Sequence, residues 1–319
     1  MSFVNLLSRM PAAVAQGILW GIMALGVYIT FRVLNIADLS VDGSFATGGA
    51  VSVMLIMAGC PAWLSVFAAI AAGIAAGFVT GILHTKLGIP AILAGILTQF
   101  SLYSINLRIM GMKANQSANL KNFGMFFENG SGFLVSSRYI TVTIGVGLVI
   151  SAIVIGALYW YFGTEQGSAV RATGCNPDMS RAQGINVNNM KILGLAISNG
   201  IIAGAGALMT QFQGTADVNM GRGAIVIGLA AIVIGEVLCE AIFSKGCNFA
   251  VRFSFVIAGG MIYYIVMTVI LWLKLDPNDL KLFTAIIVAL FLSVPYLQQQ
   301  SRSSFNKAGK ASVKTGKEN

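Results

Sequence analysis

Few side chains in this sequence could do chemistry, and they fall into two groups. Asp38, Asp42, Arg108, Glu236 and Glu240 lie within or beside long apolar runs, whereas Arg171, Asn176, Asp178, Arg181 and Lys191 crowd one polar stretch, RATGCNPDMSRAQGINVNNMK. Neither group makes a catalytic set. The single histidine, His84, has no H-E-x-x-H context, and no two of Cys60, Cys175, Cys239 and Cys247 form a C-x-x-C pair, so zinc and disulfide chemistry are poorly supported. The chain contains no G-x-x-x-x-G-K-[ST] to cradle nucleotide phosphates and no serine in a G-x-S-x-G elbow. What remains is charge placed where it is expensive. An ionisable group at membrane depth costs roughly 2.5–3.5 kcal/mol, so the carboxylates in apolar runs mark candidate sites for solute passage or gating.

The elements that must place these groups are legible in composition. The chain is 56% hydrophobic and 10% charged, with 37 glycines, which departs from soluble usage toward the membrane class. A crossing needs about 20 mainly apolar residues, and that filter picks out about nine segments, roughly 12–33, 41–59, 62–83, 89–110, 139–162, 192–213, 223–243, 250–273 and 282–297. The expected architecture is an all-α, polytopic helical bundle over residues 1–297 and a basic, disordered tail over 298–319. The apolar run from Ala12 lacks a small-residue cleavage site and continues through Tyr28, Ile29 and Phe31, so it reads as an uncleaved span. Glycines recur every fourth residue at Gly73, Gly77 and Gly81, and Gly200, Gly204 and Ala207 repeat the device, giving bare faces that let neighbouring backbones approach.

The net charge of +9 draws on Arg302, Lys307, Lys310, Lys314 and Lys317, with no aromatic residues interleaved to stack bases. That favours a cytoplasmic tail near anionic lipid over nucleic acid. With the C-terminus and the 163–191 loop taken as inside and the N-terminus as outside, the Lys and Arg bias has the expected sign, but it rests on this tail, so charge alone decides little about orientation. In the 111–138 loop, Lys113, Lys121, Phe123, Phe126 and Phe127 suit an interfacial anchor or a docking surface.

The polar stretch has the marks of a short helix between turns. Asn176 can cap, Pro177 suits the first helical position, Asp178 favours the positive end of the dipole, and Gly184 can take a left-handed ending. Asn186 or Asn188 can then start the next span. Two turns of helix are not stable alone in water, so something must dock against Asn176–Gly184.

Gly167-Ser168-Ala169-Val170-Arg171-Ala172-Thr173-Gly174, Asn176-Pro177, Arg181-Ala182-Gln183-Gly184-Ile185-Asn186 and Lys191 together resemble the cytoplasmic loop of ABC importer permeases. The group is the one that handles branched-chain amino acids, ribose-type sugars, nucleosides and aromatic amino acids. Asp38-Leu39-Ser40-Val41-Asp42-Gly43 and the Gly228–Gly235 segment are similar to the family's other signatures, so the resemblance covers roughly residues 10–297, and the chain looks most like tryptophan or tyrosine permeases. It implies a type II-like permease fold, a bacterial inner-membrane location, and a loop that carries a coupling helix with Arg171, Asn176, Pro177, Asp178, Arg181, Gly184 and Asn186. It also implies the partners: an ATP-binding subunit that holds ATP and Mg, an extracytoplasmic substrate-binding protein, and a second permease copy or paralogue. No cofactor and no enzymatic site of its own is expected of this chain.

Within the spans, Asp42, Ser44, Gln99, Asn106 and Asn199 are candidates for a translocation path, with Thr98, Ser101, Ser104, Ser198 and Gln211 as polar neighbours that could equally bond between helices. Asp38 reads as a cap that accepts from the amide of Ser40 or Val41. Glu236 and Glu240 stack four apart and should repel unless Lys245, Arg252 or an ATPase subunit compensates, which makes them candidates for a cytoplasmic gate. Sugar or nucleoside import is the near alternative to amino-acid import. A secondary transporter would instead need coupling-ion carboxylates at mid-span in broken helices.

Overall fold

A computed structural model describes residues 3–117, 137–243 and 248–272, with a few single positions beyond. The elements are α1 (Phe3–Tyr28), α2 (Val41–Met57), α3 (Ala62–Thr85), α4 (Ala91–Ile109), β1 (Asn115–Ser117), α5 (Ser137–Gly163), α6 (Glu165–Cys175), α7 (Pro177–Ala182), α8 (Val187–Gln213), β2 (Thr215–Asp217), α9 (Ala224–Ile242) and α10 (Phe249–Trp272). The all-α expectation holds, with one two-stranded antiparallel ladder among the described residues that pairs Gln116 with Ala216 across four intervening helices. Seven described helices are long and apolar enough to cross a membrane. The count of nine was approximate: α2 has only 17 residues, and the segment at 282–297, like the tail and most of the 111–138 loop, falls outside the described residues.

Two helices form the centre. In both α1 and α8, 83% of the apolar window is buried, against 22% in α5. The others pack on them through glycine. Gly73 and Gly77 of α3 bear on the backbone carbonyls of Asn199 and Leu195 in α8, and Gly200 and Gly204 receive Ile74 and Ile70 in return. Both bare faces read from the sequence are therefore one interface. On the opposite side, Gly17 and Gly21 of α1 take Met261 and Ile257 of α10 in the same way.

This correspondence extends further. The segments after α1 and after α8 contain Ala37-Asp38-Leu39-Ser40 and Ala216-Asp217-Val218-Asn219, and each Asp accepts from the backbone N–H two residues on, at 2.8 Å in the first and 2.6 Å in the second. Helix α2 then packs back on α8, Gly48 against Ala203, and α9 packs back on α1, Gly228 against Val27. The last residues of α1 and the first of α8 lie at the same end of the bundle, where Leu34 covers Gly194. The two halves thus duplicate one another in inverted order.

Between α1 and α2 the chain leaves the α-helix altogether. A wider π-helical turn, Ile29–Val33, and a left-handed Asn35 (φ 54°) precede the irregular run to Ser40. Irregular backbone at membrane depth survives only where protein, not lipid, surrounds it, and Leu34, Ile36, Asp38 and Ser40 are all buried. Asp38 fixes the run in place. Its carboxylate accepts from the Ser40 amide and hydroxyl (2.8 and 2.6 Å) and from Nδ2 of Asn199 (2.9 Å), 161 residues away. The Ser40 hydroxyl also reaches Asn199 Oδ1 at 3.1 Å. The expected bond to Ser40 is present, but Asp38 is more than a local cap, because it ties the break to the middle of α8.

Two outcomes follow from this packing. Gly77→Leu would drive a side chain into the α8 backbone and should cost about 3 kcal/mol or more. Gly156→Leu, on an α5 face where nothing lies within 4 Å, should be tolerated. Thermal unfolding in detergent separates them. Asn199→Leu strips a donor from a buried carboxylate and should cost about 2–3 kcal/mol by the same assay.

Candidate functional site

The polar stretch folds as two helices. Thr164 caps α6, accepting from the Gly167 amide at 3.3 Å, an element the sequence reading missed although Thr164-Glu165 carries the signal. Asn176 then caps α7, its Oδ1 accepting from the amides of Asp178 (3.1 Å) and Met179 (3.0 Å), with Pro177 at the first helical position. Gly184 takes the left-handed ending at φ +83°, and Asn186 accepts from the Asn189 amide at 3.2 Å to open α8. Helix α7 itself is six residues long, and of these Ser180 alone is buried. Asp178 and Arg181 form an exposed pair at 3.3 Å, which contributes little to stability. Met179 beside them is 56% exposed.

Although α7 stands out in solvent, α6 is pressed into the bundle. Gly174 lies on the backbone of Val33 and Leu34 so closely that no Cβ would fit, and Val170 and Thr173 are buried beside it. The Arg171 guanidinium sits 5.9 Å from the centre of the Phe249 ring. The polar stretch is therefore joined to the irregular run that leads from α1 to Asp38.

The gate candidates separate. The Glu236 carboxylate accepts from the Arg32 guanidinium, 204 residues away, a partner not foreseen from the sequence. Glu240 is exposed and has no partner among the described residues, and Lys245 lies outside them.

The path candidates separate too. Several neighbours bond between helices: Thr80 to Thr98 (2.9 Å), Ser198 to the Gly26 carbonyl (2.7 Å), and Gln211 Nε2 to the Ala62 carbonyl (3.2 Å) and the Ser65 hydroxyl (3.1 Å). Asn199 belongs to the Asp38 cluster. Ser44 is fully buried, with no partner for its hydroxyl among the described residues. Asp42, Gln99 and Asn106, in contrast, line one recess of about 270 Å³ together with Phe100, Tyr103, Asn219 and Arg222. Asp42 caps a helix after all, but a distant one. Its two oxygens accept from the amides of Gly223 and Ile225, each at 3.1 Å, at the start of α9. Asp42 follows directly on the run fixed to the middle of α8, while Asn219 lies past the end of that 27-residue helix, so the recess extends from mid-bundle toward the end opposite α7, on the order of 20–40 Å from it. Tyr103, Asn219 and Arg222 were not anticipated. The signal for the last two was the second Ala-Asp turn.

Comparison with known proteins agrees with this arrangement. Residues 10–295 match the family described as branched-chain amino acid transport system / permease component. A tyrosine transport system permease protein of Clostridioides difficile is 37% identical over 90% of this chain and 91% of its own length. A ribose import permease protein of Haemophilus influenzae is 26% identical over 67% of this chain and 64% of its own, and a fructose import permease protein of Bifidobacterium longum 29% identical over 62% and 54%. A solved inward-facing, metal-chelate type ABC transporter is a distant likeness, with 12% identity and a TM-score of 0.47 over 91% of this chain and 86% of its own. The chain belongs to the permease-component family of branched-chain amino acid transport systems.

Proposed function

We propose that this chain is the membrane subunit of an ATP-driven importer in the bacterial inner membrane, and that its solute is a small amino acid, an aromatic one best. In this reading an ATP-binding subunit holds ATP and Mg and grips α7, an extracytoplasmic binding protein delivers the solute at the end where β1 and β2 pair, and two permeases pair in the membrane. The C-terminus is then cytoplasmic, on the α7 side. Among the observations, α7 carries the reading. A six-residue helix gains too little from its own hydrogen bonds to persist exposed, yet this one is capped at both ends and seated on α6 against the core. Its exposed Asp178, Met179 and Arg181 offer a partner charge and an apolar contact in less than two turns. Arg171 and Asn186 hold the flanks.

The aromatic preference draws on the tyrosine permease relative, and the ribose and fructose relatives keep sugar import as the second reading. An importer of this kind needs two bundle packings whose populations the ATPase state biases through differential contacts. The Arg32–Glu236 pair, linking the end of α1 to α9 near the α7 side, is placed to open or close with such a change.

The coupling assignment is tested by co-purification with the ATP-binding subunit. Gly184→Val forces a β-branched residue to positive φ at a cost of about 1–3 kcal/mol and should abolish association while the bundle's melting point is unchanged. Asn176→Ala removes about 1 kcal/mol of capping and should weaken association roughly fivefold. Stoichiometric ATPase retained by the Gly184→Val chain would refute the assignment.

A further inference from the structure

The recess between α4, the start of α2 and the β2–α9 turn brings together three polar groups with hydrogen-bonding or charge capacity to spare. Asn106 is fully buried, and neither its amide nitrogen nor its oxygen has a partner among the described residues. The other buried amide side chains, Asn199 and Gln211, are bonded. Burying an unbonded amide is costly, so this one calls for a partner that the recess can hold. Arg222 is exposed at the rim and pairs with no carboxylate among the described residues, Asp42 included. Asp42 spends two acceptor positions on the amides of Gly223 and Ile225, and a carboxylate has about four.

One positive and one negative group, facing a single recess and not neutralising each other, match a ligand that carries both charges. A sugar's hydroxyls can accept from Arg222, but it carries no charge to set against either group. Phe100 and Tyr103, one helical turn apart on α4, add an aromatic wall, and about 270 Å³ is at the small end of ligand pockets, which suits a single small solute. Guanidinium is also the donor whose fork matches a carboxylate.

We propose that this recess binds the zwitterionic head of a free α-amino acid, with Arg222 on its carboxylate, Asp42 on its ammonium, Asn106 and Gln99 bonding its polar atoms, and Phe100 and Tyr103 against an aromatic side chain. The assignment rests on the importer reading above and names the solute class for it. Arg222, Asn219 and Tyr103 become specificity-determining residues of the membrane subunit itself.

The test uses the purified full chain in lipid nanodiscs and binding of radiolabelled L-tyrosine. Tyramine, which lacks the carboxylate, and 3-(4-hydroxyphenyl)propionate, which lacks the ammonium, should each compete at least about tenfold more weakly than L-tyrosine, and D-ribose not at all. Arg222→Gln should abolish the preference for L-tyrosine over tyramine. Asn106→Leu should lower tyrosine affinity while leaving the melting point unchanged or higher, because no intramolecular bond is lost. Equal competition by tyramine, or an Asn106→Leu chain that loses stability yet binds normally, overturns the proposal. If the chain binds no tyrosine while its ATPase complex imports D-ribose, this inference fails and the importer reading stands. If tyrosine binds as described but no ATPase associates, the importer reading fails alone.

Discussion

The carboxylate of Asp38, buried and bonded to Ser40 and Asn199, is the interaction on which the rest of this structure hangs. It holds a non-helical run inside the bundle, where only surrounding protein can satisfy its backbone. Because that run is fixed to the middle of α8, α2 can start at mid-depth and Asp42 can reach the amides that open α9. Without that placement the recess would lose one wall. The same run begins at Val33, under Gly174, so the exposed polar stretch and the recess that starts at mid-bundle are attached to one buried segment.

That attachment gives the proposed ATP-driven cycle a physical route. In that proposed cycle a pull on α7 would pass through α6, where Gly174 meets the Val33–Leu34 backbone with no side chain in between, and such close-packed contacts yield little. The π-helical turn and the left-handed Asn35 lie next in line, where backbone conformation is least regular. Beyond them, Asp38 and Asp42 join α8 and α9. The inverted duplication matters here as well: α1 and α8 form the buried centre, and each carries its partner helices through glycine faces that tolerate sliding more readily than interlocked side chains.

How much of this was written in the sequence depended on the range of the interaction. The caps at Asn176, Gly184 and Asn186 were legible because their chemistry is confined to a few neighbouring residues. The glycine faces of α3 and α8 were legible because a helix repeats them, although that they meet each other was not. That Asp42 caps α9 was not legible, since the amides it accepts from lie 181 and 183 residues away. Arg32 was missed as the partner of Glu236 for the same reason. Helix α6 was passed over because a mostly polar, 11-residue helix has no strong apolar period, and packing of Gly174 on α1 is what sustains it. Asn199 was read as a path residue when its polarity serves Asp38. The second Ala-Asp turn was visible at Ala216-Asp217, and comparing the halves in inverted order would have found it and Arg222 together.

In the proposed cycle a capped helix outside the bundle delivers the energy of ATP to a recess on the order of 20–40 Å away. Solute accumulation in sealed proteoliposomes that contain this permease, its ATP-binding subunit and its binding protein measures that delivery directly. L-Tyrosine should accumulate against its gradient when ATP is supplied on the α7 side and should not when ATP is withheld. Accumulation driven by an ion gradient in vesicles that hold this chain alone would contradict the proposed cycle.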